Sequence, residues 1–217
     1  MSAAREAILA RIRGALRDVP AAERAAEVPV ARDYRAAGEL RGEALVARFA
    51  ERVSDYAADV GRVAAGDVAD AVTRGCADMG LRKVAVPPAL AQEWHPRDVE
   101  LLRDDGLAPA DLDAIDGVVT GCATGIAETG TVVLDGGPVS GRRLLTLVPD
   151  HHICIIRAEQ IVELVPEAIA AVAPAVRERR APITLVSGPS ASSDIELSRV
   201  EGVHGPRHLL VLIVDPA

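Results

Sequence analysis

The sequence predicts an α/β fold in which short buried strands form a sheet with helices on both faces. Short runs of apolar and β-branched residues recur along the chain, as at 83–86, 117–121 and 131–134, and such runs are typical of buried strands. Longer segments between them, such as 67–79, place apolar residues at helical spacing. This alternation of strands and helices favours a layered α/β architecture over an all-α or all-β one.

The first part of the chain predicts two helices joined by a linker. Residues 2–18 and 43–58 both carry an apolar face of helical period. Residues 19–29 are rich in Ala, Pro and charge, which predicts a flexible joint. We therefore expect an N-terminal helical arm with its linker over 1–40 and an α/β domain over 41–217. The arm is expected to pack on the domain or on a neighbouring subunit of a homo-oligomer, or to be a plain surface helix.

Turn residues divide the central part of the chain into short elements. The helix over 67–79 is expected to end at Gly80, and the strand over 83–86 to end before Pro87. Further expected elements are strands over 117–121, 131–134, 144–148 and 153–156, a turn or short helix over 125–130, and a helix over 166–179. Pro174 lies inside that last helix and is expected to kink or shorten it.

The C-terminal stretch carries most of the polar residues that suggest a site. Residues 183–186 and 209–214 are expected to be buried strands, and they flank a hydroxyl-rich loop over 187–196 and a glycine turn over 201–207. We expect the two polar segments to meet at one edge of a sheet, where ligands commonly bind in open α/β folds. A purely structural interpretation remains open, because glycines supply positive φ in turns and Ser193 with Glu196 fits a helix-capping box.

Glu128 and His204 are the candidate catalytic residues. Glu128 lies between Gly125 and Gly130, where little side-chain bulk obstructs a ligand, and a carboxylate can act as a nucleophile or general base. His204 lies beside Gly205 and can protonate or orient a substrate near neutral pH. The alternatives are that Glu128 braces its turn and that His204 hydrogen-bonds to backbone.

The hydroxyl-rich loop is expected to cradle a phosphate or carboxylate. Asp194 and Glu196 would oppose an anion unless Arg207 or the Arg142–Arg143 pair balances them, and these two acids can instead position His204 or bind a cation. The predicted ligand-binding residues are Thr129, Gly130, Thr131, Ser187, Gly188, Ser190, Ser192, Asp194, Glu196, Gly205 and Arg207.

Two long motifs resemble one known family. The first is Ser187-Gly188-Pro189-Ser190 with Asp194-Ile195-Glu196, followed by residues 202–207. The second comprises residues 127–131, 141–144 and 149–153. Together they look like the lactate-utilisation protein C family, also called LutC/YkgG or LUD-domain proteins, and the likeness is continuous from about Gly117 to Val214.

The resemblance implies a fold and a role. The implied fold is the NagB/RpiA/CoA-transferase-like open sheet, shared by ribose-5-phosphate isomerase, glucosamine-6-phosphate deaminase and the CoA-transferases. The implied role is in L-lactate oxidation to pyruvate beside iron–sulfur proteins, as a non-redox subunit that binds a small carboxylate or acyl ligand or docks those partners. Glu128-Thr129-Gly130 is also similar to the CoA-transferase motif whose Glu forms an acyl intermediate. A stand-alone acyl- or CoA-handling enzyme and a pure interaction scaffold are therefore the alternatives.

Composition narrows the expected chemistry. The net charge of −8 and the absence of a basic run argue against nucleic acid as a partner. Cys76, Cys122 and Cys154 are too few and too far apart for a disulfide framework or an iron–sulfur cluster, so we expect this chain to hold no cofactor itself. The sequence His151-His152-x-Cys154 offers too few ligands on one strand face, and we expect no metal there.

The same features predict where the protein works. The N-terminus lacks the layout of a signal peptide, and no apolar run is long enough to span a bilayer. An odd number of well-separated cysteines is typical of a reducing compartment. We therefore expect a cytoplasmic protein.

Overall fold

A computed structural model describes residues 3–20, 30–192, 200–202 and 204–216. The chain forms two compact units, Met1–Tyr34 and Arg35–Ala217, whereas the sequence suggested a division after residue 40. The first unit contains helix α1 (Ala3–Ala15), as predicted. Ile8 and Ile12 of this helix are exposed. Within the described residues, no helix is long and apolar enough to cross a membrane.

The second unit is built on a six-stranded parallel sheet. Its strands stand in the order β1-β12-β7-β4-β2-β3. They are β1 (Asp59–Val63), β2 (Lys83–Val86), β3 (Glu100–Arg103), β4 (Gly117–Gly121), β7 (His151–Arg157) and β12 (His208–Val214). The central strands are buried on both faces, which explains why their sequences are continuously apolar rather than alternating. The predicted strands 83–86, 117–121, 153–156 and 209–214 are confirmed.

Helices cover both faces of this sheet, as predicted. Helix α2 (Gly42–Asp55) packs Phe49 and Val53 onto the face that carries Val211 and Ile213. Helix α3 (Val68–Asp78) packs onto the opposite face. A short helix, α4 (Pro109–Asp113), adds Leu112 to a smaller cluster with Ala85 and Val118.

A second, smaller sheet lies on the α2 side. Its order is β8-β5-β6-β9, and its strands are β5 (Thr124–Ile126), β6 (Thr131–Leu134), β8 (Ile161–Val162) and β9 (Thr184–Val186). Helix α5 (Val165–Arg179) packs Ala168 and Val172 against Ile126 and Val133 on its outer face. A hairpin of β10 (Ala191–Ser192) and β11 (Val200–Glu201) precedes the last strand.

Four local predictions need correction. Residues 124–126 form a strand, so the predicted turn over 125–130 begins only after Ile126. Residues 144–148 form turns, because Leu145 and Val148 bond to carbonyls three and four residues earlier rather than to a strand. Pro174 does not shorten helix α5, which continues to Arg179; Pro174 is on the exposed side, where water can satisfy the freed carbonyl. Strand β9 is an edge strand, and Leu185 is 50% exposed rather than buried.

Replacing Phe49 with Ala should lower the free energy of unfolding by about 3–5 kcal/mol, because its ring is fully buried between α2 and both sheets. Urea denaturation measures this loss. Ile169→Ala, on the half-exposed side of α5, is the control and should cost less than about 1 kcal/mol. Equal losses in the two variants would show that the core is not centred on α2.

Candidate functional site

A cavity of about 300 Å³ opens beside the edge strand of the smaller sheet. One wall is the segment 184–190, which runs through β9 and the serine-bearing loop. The opposite wall is the turn 204–206 that precedes β12. Arg143, Thr146, His152 and Leu209 also line the cavity. We call this space the Arg143 cavity.

The two polar segments meet although their strands belong to different sheets. The backbone N–H of Ser190 donates to the carbonyl of Pro206 at 2.8 Å, and that of Gly202 donates to the carbonyl of Ser190 at 3.0 Å. The Ser190 hydroxyl also accepts the backbone N–H of His204 at 3.1 Å. These bonds hold the loop after β9 against the turn before β12.

The cavity lies at the amino-terminal edge of the large sheet. His152 and Leu209 are the second residues of β7 and β12, and they pair in register. The usual site of open α/β sheets is at the carboxyl ends of the strands. The glycine turn precedes β12, so the two polar segments meet at the amino-terminal edge instead.

Arg143 supplies positive charge to the cavity. Its guanidinium donates to the carbonyl oxygens of Thr146 at 3.2 Å and His204 at 3.4 Å. In the part of the chain that the structure describes, no carboxylate forms an ion pair with it. A guanidinium has five N–H donors in a planar fork, so donors remain for a carboxylate or phosphate.

His152 adds a buried imidazole to the lining of the Arg143 cavity. It is 1% exposed, and its Nε2 lies 2.8 Å from the hydroxyl of Thr120. Burial lowers the pKa of His152 from 6.5 to about 4, so the ring is neutral at pH 7. A neutral imidazole beside Arg143 can donate or accept a hydrogen bond without adding a second charge.

Comparison with known proteins identifies the family. A family model described as the LUD domain matches residues 108–214. The chain is 47% identical over 168 residues to lactate utilization protein C of Deinococcus radiodurans, covering 77% of this chain and 78% of that protein. The chain belongs to the LUD-domain family. It is also 31% identical over 185 residues to the uncharacterized protein YkgG of Escherichia coli, covering 82% and 72% of the two chains.

A solved structure supports the fold. The crystal structure of a DUF162 family protein from Deinococcus radiodurans is similar with a TM-score of 0.71 and 39% identity, covering 81% of this chain and 99% of that chain. Together with the open parallel sheet and its two helical layers, this likeness confirms the predicted fold class and the predicted family.

In this LUD-domain chain, Glu128 lies in the turn between β5 and β6, outside the described lining of the Arg143 cavity. Its carboxylate is 51% exposed and lies 3.4 Å from the guanidinium of Arg35. Its backbone N–H donates to the carbonyl of Glu163 at 3.0 Å. These contacts fit a residue that braces the turn.

A chain of hydroxyls connects the Glu128 turn with the cavity. The Thr131 hydroxyl lies 2.6 Å from that of Thr129 and 2.7 Å from that of Ser187, which lines the cavity. Gly130 has φ +59°, and a Cβ there would lie 2.4 Å from the backbone of Arg52, so only glycine fits this approach. Thr129, Gly130 and Thr131 therefore support the cavity wall rather than line it.

The remaining predicted site residues divide into three groups. Ser187, Gly188, Ser190, His204 and Gly205 line the cavity. Arg207 holds Asp150 in a two-pronged ion pair at 2.6 and 2.8 Å and thereby lowers the pKa of that carboxyl. Ser192 belongs to β10, whereas Asp194 and Glu196 lie outside the described residues.

Sequence reasoning missed His152 as a cavity residue and treated Arg143 only as a counter-charge. The usable signal for His152 was its position, since a polar residue next to a continuously apolar strand segment must face a partner or a cavity. No comparable signal marked Arg143, because Arg142 beside it has the same side chain and a different role.

The three cysteines are free, buried and divided between the two faces of the large sheet. Cys122 and Cys154 belong to the cluster on the α2 face, and Cys76 belongs to that on the α3 face. Burial raises the pKa of Cys76 to about 11. The neighbouring thiol of Cys154, together with burial, raises the pKa of Cys122. These shifts favour protonated, unreactive thiols at Cys76 and Cys122.

Acid should destabilise the protein through His152. The pKa of His152 is about 4 in the folded chain against 6.5 when solvated, so between these values the unfolded chain binds the extra proton. The contribution of the neutral His152 to the free energy of unfolding is complete above pH 6.5 and falls by up to about 3 kcal/mol as the pH drops to 4. Denaturation of the wild type and of His152→Gln across this range measures it. Parallel pH profiles for the two proteins would contradict the assignment.

Proposed function

We propose that this protein takes part in L-lactate utilisation as a cytoplasmic, non-redox subunit that binds a small carboxylate in the Arg143 cavity. Relatives named lactate utilization protein C, in Deinococcus radiodurans and Shouchella clausii, support the physiological context. The binding role rests on the guanidinium of Arg143, which has no ion pair among the described residues and lines the same cavity as the buried, neutral His152.

The chemistry of the cavity suits an α-hydroxy or α-keto acid. The Arg143 fork can hold a carboxylate through two parallel hydrogen bonds. The hydroxyls of Ser187 and Ser190 and the His152 ring then offer donors and acceptors to the adjacent hydroxyl or carbonyl oxygen. A volume of about 300 Å³ is at the lower end for ligand pockets, which favours a small metabolite over a dinucleotide.

In this proposal, partner proteins accept the electrons that lactate releases. Oxidation of lactate to pyruvate releases two electrons and two protons, and an acceptor must take them. The cysteines of this chain are buried on opposite faces of the sheet, and an iron–sulfur cluster needs several thiolates on one site. We therefore propose iron–sulfur proteins as the electron-carrying partners, with this chain binding substrate or product.

The acyl-enzyme alternative has weaker support. A Glu nucleophile should face the ligand cavity in a site that excludes water. Glu128 is half-exposed, is paired with Arg35 and lies outside the described lining. The scaffold alternative makes no use of the cavity, so ligand binding distinguishes it from our proposal.

Lactate or pyruvate should raise the melting temperature of the purified chain, because a ligand that binds only the folded state stabilises it by mass action. Arg143→Met should require at least about ten times more ligand for the same rise in melting temperature, because a charge-assisted bidentate contact is lost. Arg177→Met is the matched control, because Arg177 is an exposed arginine in the last turn of α5, and it should respond like the wild type.

Acyl-CoAs and sugar phosphates complete the same thermal-shift series. A response to acyl-CoA without one to lactate or pyruvate would favour the acyl-enzyme alternative. Failure of all four ligand classes would favour the scaffold. An equal response in Arg143→Met and the wild type would place the carboxylate elsewhere on the protein.

Glu128→Gln should leave lactate-dependent growth intact in a bacterial host that relies on this chain, because Glu128 is expected to brace a turn rather than react. Arg143→Met should impair the same growth. Growth rate on lactate, with immunoblots to equalise protein levels, measures both effects. If Glu128→Gln abolishes growth while the protein stays folded, the Glu nucleophile becomes the better explanation.

A further inference from the structure

Two histidines stand side by side on the face of the large sheet opposite the Arg143 cavity. His151 and His208 begin β7 and β12 and pair in register. Their rings stack with centroids 4.5 Å apart and planes 13° apart. Asp150 precedes His151, and one ligand atom of each of the three residues lies within 4.8 Å of the others. We call these residues the Asp150 cluster.

A hydrogen bond sets the tautomer of His151. Its Nδ1 lies 3.1 Å from the carbonyl oxygen of Asp116, and a carbonyl can only accept, so Nδ1 carries the proton. In the neutral imidazole, this leaves the lone pair on Nε2. The carbonyl is held in place because the Asp116 carboxylate accepts the backbone N–H groups of Arg82 and Lys83, both at 2.8 Å. Histidines that bind metals are commonly oriented by such a bond.

We propose that the Asp150 cluster binds a divalent transition metal such as Zn²⁺ or Co²⁺. Two imidazoles and one carboxylate suit these ions, and three protein ligands leave a position open for water or another ligand. The site uses the strand residues that point away from the Arg143 cavity, so it is independent of the proposed carboxylate-binding function.

The ligand atoms of the Asp150 cluster must move slightly closer together to bind one metal ion. Metal bonds of about 2.1 Å can bridge ligand atoms no more than about 4.2 Å apart, compared with the 4.8 Å limit of the cluster. His208 is exposed and can rotate towards the metal. Asp150 already accepts the fork of Arg207, but a carboxylate has lone pairs for both. The nearby positive charge of Arg207 opposes a cation, so we expect moderate affinity rather than that of a structural zinc site.

The test is titration of the intact, chelator-treated chain with Zn²⁺ by calorimetry and with Co²⁺ by visible spectroscopy. We expect one equivalent of metal and ligand-field bands for Co²⁺. His208→Asn, His151→Asn and Asp150→Asn should each weaken binding by more than about tenfold. His204→Asn is the control, because the described contacts of His204 run through its backbone, and it should bind like the wild type.

Exposed His208 makes His208→Asn the decisive variant, since its loss should not unfold the chain. Circular dichroism of each metal-free variant checks the fold. Unchanged Zn²⁺ affinity in folded His208→Asn would overturn the proposal. So would the absence of stoichiometric binding by the wild type, or equal weakening in His204→Asn. The carboxylate thermal shift depends on none of these results, so the two proposals fail separately.

Discussion

The in-register pairing of β7 with β12 at the centre of the large sheet is the constraint on which the rest depends. Because paired residues of parallel strands share a face, His152 and Leu209 turn towards α2 and the smaller sheet. His151 and His208 turn the other way and stack. A shift of one residue in either strand would separate both pairs at once. Ten of the fourteen residues in these two strands are buried, so the apolar core itself fixes the register.

Two glycines allow the segments that form and support the cavity wall to pack closely against helix α2. A Cβ on Gly130 would meet the backbone of Arg52, and one on Gly188 would lie 2.4 Å from the carbonyl oxygen of Tyr56. The C-terminal end of α2 therefore holds the β5–β6 turn and the serine-bearing loop together. The hydrogen bond between Thr131 and Ser187 joins these two segments side by side. Gly130 and Gly188 therefore permit this close packing, and Ser187, Ser190 and His204 line the cavity that results.

The strands that the sequence predicted well are those buried on both faces, such as β2 and β4, because burial leaves an uninterrupted apolar run. Residues 144–148 carry a similar run but form turns, since Leu145 fills a cluster under α4 without pairing with a strand. The joining of the serine-bearing loop and the glycine turn could be anticipated from their composition. Their position at the amino-terminal edge, and the separation of Glu128 from the cavity lining, follow from strand pairings between distant segments, which local patterns do not encode.

Tertiary contacts distinguish the neighbouring residues Arg142 and Arg143, although their side chains are identical. The guanidinium of Arg142 donates two hydrogen bonds of 2.8 Å to the carboxylate of Asp104, whose side chain is 1% exposed. Burial alone would raise the pKa of Asp104, but Arg142 and the backbone N–H groups of Leu107 and Gly106 more than offset this and lower it. Such a pair is satisfied within the protein, and its loss would leave a buried charge. Among the described residues Arg143 meets only carbonyl and hydroxyl oxygens, which leaves its charge uncompensated there. An uncompensated guanidinium in the lining of a cavity is stabilised most by an anionic ligand, and this asymmetry is the reason to propose Arg143, rather than Arg142, as the ligand-binding residue.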